Sequence, residues 1–229
     1  MSASSPAPTD DDGYRAGAVD LLGILAYGAL TAFERLAEDA QAAPTLPDKV
    51  QLATVAARQI NHFNAVSAQL TSMNSDVMAA MRPFHTPFDA FHDYTKPRDW
   101  YEGLVKAYVG DGFAADFYRE VAAFVDADTR DLVHEVLSDE DLHAYIVARV
   151  REAVEHDPKL AGRLSLWGRR LVGEALSQAQ RVAADRDALT SLLTGTVDRP
   201  GMDLAAISRM FSRLVANHTK RMAELGLQA

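Results

Sequence analysis

Apolar residues recur at helical spacing along almost the whole chain, and no segment alternates convincingly as a strand. That periodicity restricts the fold to an all-α architecture. The breaks in the pattern then decide how the helices are arranged. A first helix is expected from about Tyr14 to Ala42, ended by "APTLPDK", with Pro47 suited to the opening turn of a second helix running to about Met73. The segment Arg82 to Asp99, with three prolines and four aromatics, reads as an ordered crossover. Further helices are expected over Trp100–Val125, Asp128–His156 (interrupted near Ser138, with Asp141 three residues on), Leu160–Ala184 and Leu204–Leu225. "TGTVDRPGMD" reads as a loop. Residues 1–12 read as a disordered acidic tail ahead of a single helical domain, 13–229, whose core bundle covers about 14–156 and whose C-terminal helices cover about 160–226.

Composition narrows the function classes. With 48% hydrophobic residues in 229, a sizeable core is available. The absence of cysteine excludes disulfides, thiolate zinc, iron–sulfur clusters and cysteine nucleophiles, and fits a reducing cytoplasm. A net charge of −9 argues against a dominant polyanion-binding surface. The N-terminus lacks the basic and apolar regions of a secretory signal. The strongly apolar stretch Ala18–Ala32, interrupted by Asp20, is expected to be too short to span a bilayer.

Two long hairpins joined by one long crossover describe a four-helix bundle of the ferritin-like layout, here with additional C-terminal helices. A weak internal repeat fits it: "AYGALTAFERLAEDA" lies over "YVGDGFAADFYREVA" without gaps. The spacing to the next helix is also similar, 33 residues from Ala29 to His62 and 32 from Asp111 to His143. In di-metal bundles of this layout, two helices each give one carboxylate and two give Glu-x-x-His, because residues three apart on one helical face reach the same metal pair. This chain offers Gln59-x-x-His62 and Glu140-x-x-His143 on apolar faces. Counting axial distance from the hairpin turns places Ala29 and Asp111 at the same level. The inward set is therefore Ala29, Gln59, His62, Asp111, Glu140 and His143. The metal-ligand candidates are His62, Asp111, Glu140 and His143, with Gln59, Glu34 and Asp116 as second choices.

The phrases "AYGALTAFERLAEDA", "AFHDYTKPRDWYEGLVKAYVGDGFAADFYRE" and "LWGRRLVGEALSQAQR" resemble a bacterial branch of the ferritin-like superfamily similar to the tRNA 2-methylthio-isopentenyladenosine hydroxylase. The resemblance runs from about Tyr14 to Val182. It implies di-iron activation of O₂ and hydroxylation of a modified adenine, with His62, Asp111, Glu140 and His143 as matching ligands. Ala29 and Gln59 depart from the pattern and remove two of four expected anionic ligands. The leading expectation is thus a partly degraded metal site, mono-metal or metal-free. The alternatives are a working non-haem iron oxygenase and a protein-interaction module. Iron, as one or two ions, and no cofactor at all both remain open. Iron storage fits least.

Arg163, Arg169, Arg170 and Arg181 could contact tRNA phosphates, against a reading in which this helix packs on the bundle and Arg170 pairs with Glu174. A homodimer built by the C-terminal helices is the other expected partner, and no membrane role is expected. Tyr108 and Tyr118 share the Asp111 face, as proton carriers or as core tyrosines. His85 and His92 match no ligand pattern, and His218 to Arg221 reads as a solvated helix face.

Overall fold

A computed structural model describes residues 10–195 and 199–229. Its elements are α1 (Asp10–Ala42), α2 (Leu46–Ser72), α3 (Val77–Tyr94), α4 (Trp100–Val105), a π-helical turn (Lys106–Gly110), α5 (Asp111–Ala122), α6 (Ala127–Val136), α7 (Glu140–His156), α8 (Pro158–Asp185), α9 (Asp187–Thr194) and α10 (Leu204–Glu224). Among the described residues there is no strand, only an isolated bridge between Gly195 and Pro200. The fold is an all-α bundle with one crossover, as the periodicity requires.

The first hairpin, α1 and α2, is unbroken. Thr45 caps α2 by accepting a hydrogen bond from the Asp48 amide at 3.3 Å. Residues 10–12, read as part of the tail, already belong to α1; residues 1–9 lie outside the described ones. The stretch Asp12–Ala42 is long and apolar enough to cross a bilayer, with a mean hydropathy of 1.6 in its most apolar window. However, 61% of that window is buried within the bundle, which is the position of a core helix.

The crossover is more regular than its prolines suggest. Most of it is α3, which carries Pro83 and Pro87 inside the helix and buries Ala80, Met81 and Phe84. Each internal proline removes a backbone donor, at a typical cost of about 3 kcal/mol. Burial of an apolar face against α1 opposes that cost. The second hairpin is interrupted twice. A π turn at Lys106–Gly110 divides the expected helix Trp100–Val125, and a break at residues 137–139 separates α6 from α7. The long α8 lies against α3, α4, α7 and the π turn, and α10 lies against α5.

The apolar side chains form two clusters. One contains Leu52, Val55, Leu104, Ile146, Leu164 and Leu171. The other contains Leu21, Leu22, Val66, Leu70, Phe84 and Met210. Between them, polar side chains from both hairpins reach inward.

Candidate functional site: an apolar cavity with two polar ends

A cavity of about 400 Å³ lies in the bundle, with walls from α1, α2, α3, α5, α8 and α10. Its walls are largely apolar and include Leu25, Leu36, Val66, Phe88, Phe91 and Phe113. Ala29, Gln59, His62, Asp111 and His143 all border it, so the structure brings together five of the six residues of the inward set. Glu140 does not join them. As the first residue of α7 it is exposed, and it lines a second, more polar cavity of about 300 Å³. Asp139, one residue earlier, borders the central cavity instead.

One polar end carries an ion pair. Arg35, from α1, donates through Nη2 to Asp111 at 3.0 and 3.2 Å. Its Nη1 lies 2.7 Å from His92 Nε2. A guanidinium is always a donor, so that imidazole nitrogen accepts. Burial, with Arg35 and Lys106 adding to it, pushes His92 down to about 2 and keeps the ring neutral. Nearby, Lys106 donates to the Thr95 carbonyl at 2.8 Å from within the π turn. Burial and Arg35 push the Lys106 ammonium down to about 7, and burial raises Asp39 to about 7.

The other end gathers His62, Asp139 and His143. Arg58 pairs with Asp139 at 3.1 Å, and Gln59 Nε2 donates to it at 3.3 Å. Burial lowers the proton affinity of His62, with Arg58 adding to the effect and Asp139 opposing it. Burial likewise lowers His143; Asp139 opposes, while Arg221 and Arg119 act in the same direction as burial. Burial raises Asp139 against the pull of Arg58 and both histidines. His62 Nδ1 is buried without a hydrogen-bond partner. Tyr108 stacks edge-on against the His143 ring, centroids 5.2 Å apart, and its hydroxyl donates to Glu224. Tyr118, half-buried, borders the cavity, and burial of its hydroxyl pushes it towards the neutral form.

The donor set does not fit a di-metal centre. Position 29 is a methyl group and position 59 a neutral amide. Asp111 is already neutralised by Arg35, Asp139 by Arg58, and Glu140 faces away. Among the described residues, no group of three or more His, Cys, Asp or Glu side chains converges tightly enough to hold a metal ion. A guanidinium fixed on a carboxylate also opposes binding of a cation there. Of the second choices, Glu34 is exposed. Asp116 is buried and serves as a clamp: Arg221 pairs with it at 2.6 Å, Asn217 donates to it at 3.0 Å, and Arg119 lies at 3.3 Å.

Three of the four arginines of α8, Arg163, Arg169 and Arg170, are engaged within the chain, and Arg181 is exposed. Arg163 pairs with buried Glu102 at 2.6 Å. Arg170 donates to the Tyr94 carbonyl at 2.6 Å and lies over the Trp167 ring, rather than pairing with Glu174. Arg169 reaches the Gln228 carbonyl at 3.3 Å.

Sequence reasoning missed Arg35, His92, Asp139 and Arg221. His218 and Arg221, read as part of a solvated face, are largely enclosed. The signal was the stripe Met210, Leu214, His218, Met222, which carries the buried face of α10 to the end of the helix.

The family described as "Ferritin-like domain, actinomycetes" matches residues 12–196, most of the chain. The chain belongs to this family. Among solved structures, it is similar to "Protein 19 with aldehyde deformylating oxidase activity from Synechococcus". The TM-score is 0.64 at 22% identity, over 95% of this chain and 93% of that one. At that identity the likeness establishes the fold. A comparison with curated proteins found no match.

Proposed function

We propose that this family member is a ferritin-like protein whose two-metal centre has been lost, and whose bundle serves as a binding site for an apolar or amphipathic small molecule. The observation that carries this reading is the cavity of about 400 Å³, apolar along its walls and bordered by the Arg35–Asp111 ion pair. Cavities of roughly 300–1,000 Å³ with apolar walls and a few convergent polar groups are the usual form of small-molecule sites. The test is binding by the full chain of a neutral probe, hexadecan-1-ol, followed by displacement of a fluorescent apolar dye. One site per chain is expected, lost when the cavity is filled by Ala115→Phe or Ala179→Phe. Absence of binding to the unaltered protein contradicts the reading.

A second reading takes His62, Asp139 and His143, which border the same cavity and influence one another, as a mononuclear site that assembles only once Asp139 leaves Arg58. Two imidazoles held neutral and one carboxylate are the ligand set of many mononuclear non-haem iron oxygenases. Under it, the substrate would be a small apolar molecule, such as the aldehyde named for the Synechococcus protein or the modified adenine of the tRNA hydroxylases. Freeing Asp139 through Arg58→Ala would then raise iron uptake to one ion per chain, measured by plasma mass spectrometry. The tRNA branch has less support, because Arg163, Arg169 and Arg170 each already have a partner within the chain. A homodimer through α10 has its own support in the exposed apolar residues Leu204, Phe211 and Val215 along one face.

A further inference from the structure

The outer face of α2 carries almost no charge. Between Lys49 and Asp76 the one Asp, Glu, Lys or Arg is Arg58, in a chain where such residues make up 24%. Arg58 is turned along its own chain, towards Asp139 and Asp141. Six exposed residues form a stripe along this face: Thr54, Ala57, Asn61, Asn64, Ala68 and Thr71. It lies opposite Leu52, Val55, Val66 and Leu70, which face the core. Alternate steps of three and four residues are the spacing of a helix that packs lengthwise on another helix.

The stripe reads the same from both ends: Thr, Ala, Asn, Asn, Ala, Thr. An antiparallel pairing with α2 of a second copy, about a two-fold axis between residues 62 and 63, therefore sets each residue type against itself. Ala57 meets Ala68 of the second copy through methyl groups alone, which lets the helix axes approach to about 8 Å. Thr54 and Thr71 already donate their hydroxyls within α2, to the Val50 and Ser67 carbonyls at 2.8 Å, so covering them strands no donor. Asn61 and Asn64 meet at the centre, where each amide offers a donor and an acceptor and the pair fixes the register.

The ends of the face agree with the same axis. Leu46, Val50 and Met78 are 72%, 57% and 57% exposed, unusual for large apolar side chains. Leu46 and Val50 continue the stripe at the start of α2, and Met78 stands just past its end, in the first turn of α3. The axis brings the first two against Met78 of the second copy. It likewise brings Lys49, exposed at the edge of the stripe, towards Asp76 of the second copy, a pair of opposite charges. Over most of their surface two copies of net charge −9 repel each other. The exposed apolar residues of α10 match themselves less well, since a two-fold axis at Phe211 sets Arg209 of one copy against Arg213 of the other.

From this face we infer that its occupant is a second copy of this chain, packed antiparallel through α2 in an isologous dimer. A strip about 40 Å long and about 10 Å wide on each copy covers about 800 Å² in total before the ends are added. That is the lower end of specific interfaces and corresponds to a reversible dimer in the micromolar range. The contact lies on the far side of α2 from Gln59, so it is independent of the cavity.

The test is sedimentation velocity of the full chain over a range of concentrations, with cysteine cross-linking, which the absence of native cysteine makes specific. The unaltered protein should pass from monomer to dimer as its concentration rises through the micromolar range. Ala57→Glu and Ala68→Glu, each placing a charge between the helices, should weaken association by at least about tenfold. Phe211→Glu should leave it unchanged. Lys49→Glu should weaken it by about twofold to fivefold, and replaces the alanine variants if circular dichroism finds them unfolded. An equal mixture of Ala57→Cys and Ala68→Cys should form a disulfide-linked dimer under mild oxidation. Either variant alone should not, because equivalent positions in the two copies stand about 16 Å apart along the helices. A monomer at every concentration overturns the inference. So does a dimer that survives Ala57→Glu and Ala68→Glu but is lost in Phe211→Glu, which puts the contact on α10. Cross-linking as strong in either variant alone as in the mixture overturns it as well.

Discussion

The two hairpins of the bundle carry a similar pattern in sequence and treat it differently in space. In α1–α2, 33 and 27 residues run without interruption, and the polar groups that reach the cavity are Arg35, Gln59 and His62. In the second hairpin the chain is broken by the π turn and again at residues 137–139. The polar groups there sit at or near the breaks: Asp111 directly after the π turn, Asp139 directly before α7, and His143 one turn into it. Unbroken helices deliver side chains by phase alone. Broken ones also deliver residues at their ends, which is where π turns and helix starts often serve function.

The largest expected effect comes from cutting the link between the hairpins. Arg35→Met should strand Asp111 and lower stability by about 2 kcal/mol in urea unfolding, a value reduced for partial exposure, with Arg35 at 18% and Asp111 at 37%. The double variant Arg35→Met/Asp111→Leu should recover more than half of that loss, because no charge is then left without a partner.

This difference also explains how far the sequence could be read. The all-α fold, the hairpins and the single crossover follow from periodicity and from proline placement. His62 and Gln59 follow from the phase of an unbroken helix, and both line the cavity. The same reasoning put Glu140 inward, and it fails there because the helix restarts at residue 140, so phase carried across from α6 does not apply. The carboxylate that turns inward is the residue before the helix. Arg35 is not legible for another reason: a metal-ligand pattern selects the carboxylate of Glu34 beside it, and a cation has no role in such a pattern. Pro83 and Pro87 obscured α3, and with it the placement of His92 against Arg35.

Three further measurements sharpen the comparison, in decreasing order of effect. Asp139→Asn should cost about 1 kcal/mol and, because its charge raises both His62 and His143, should lower the titration midpoints of the two rings in NMR. Lys106→Met should remove a pH slope. With its folded-state pKa at about 7 against an ordinary value of 10.5, the unfolded chain binds more protons over that interval. Stability of the unaltered protein should therefore gain a contribution from this group as pH rises from about 7 to 10 and lose it on return. Unfolding curves of the variant over the same range should lack that contribution. Finally, Glu140→Gln should change stability by less than about 0.5 kcal/mol and leave hexadecan-1-ol binding as it was, since the exposed side chain lines only the smaller polar cavity.

The central claim is that guanidinium–carboxylate pairs have taken the place of a two-metal centre. It is tested most directly by iron per chain, measured by plasma mass spectrometry on full-length protein produced with added iron and never exposed to a chelator. Arg35 on Asp111, Arg58 on Asp139, and the neutral groups at positions 29 and 59 predict a value far below one. A value near two would contradict the account by requiring both carboxylates to leave their arginines. A value near one would contradict it in favour of a mononuclear site at His62, Asp139 and His143.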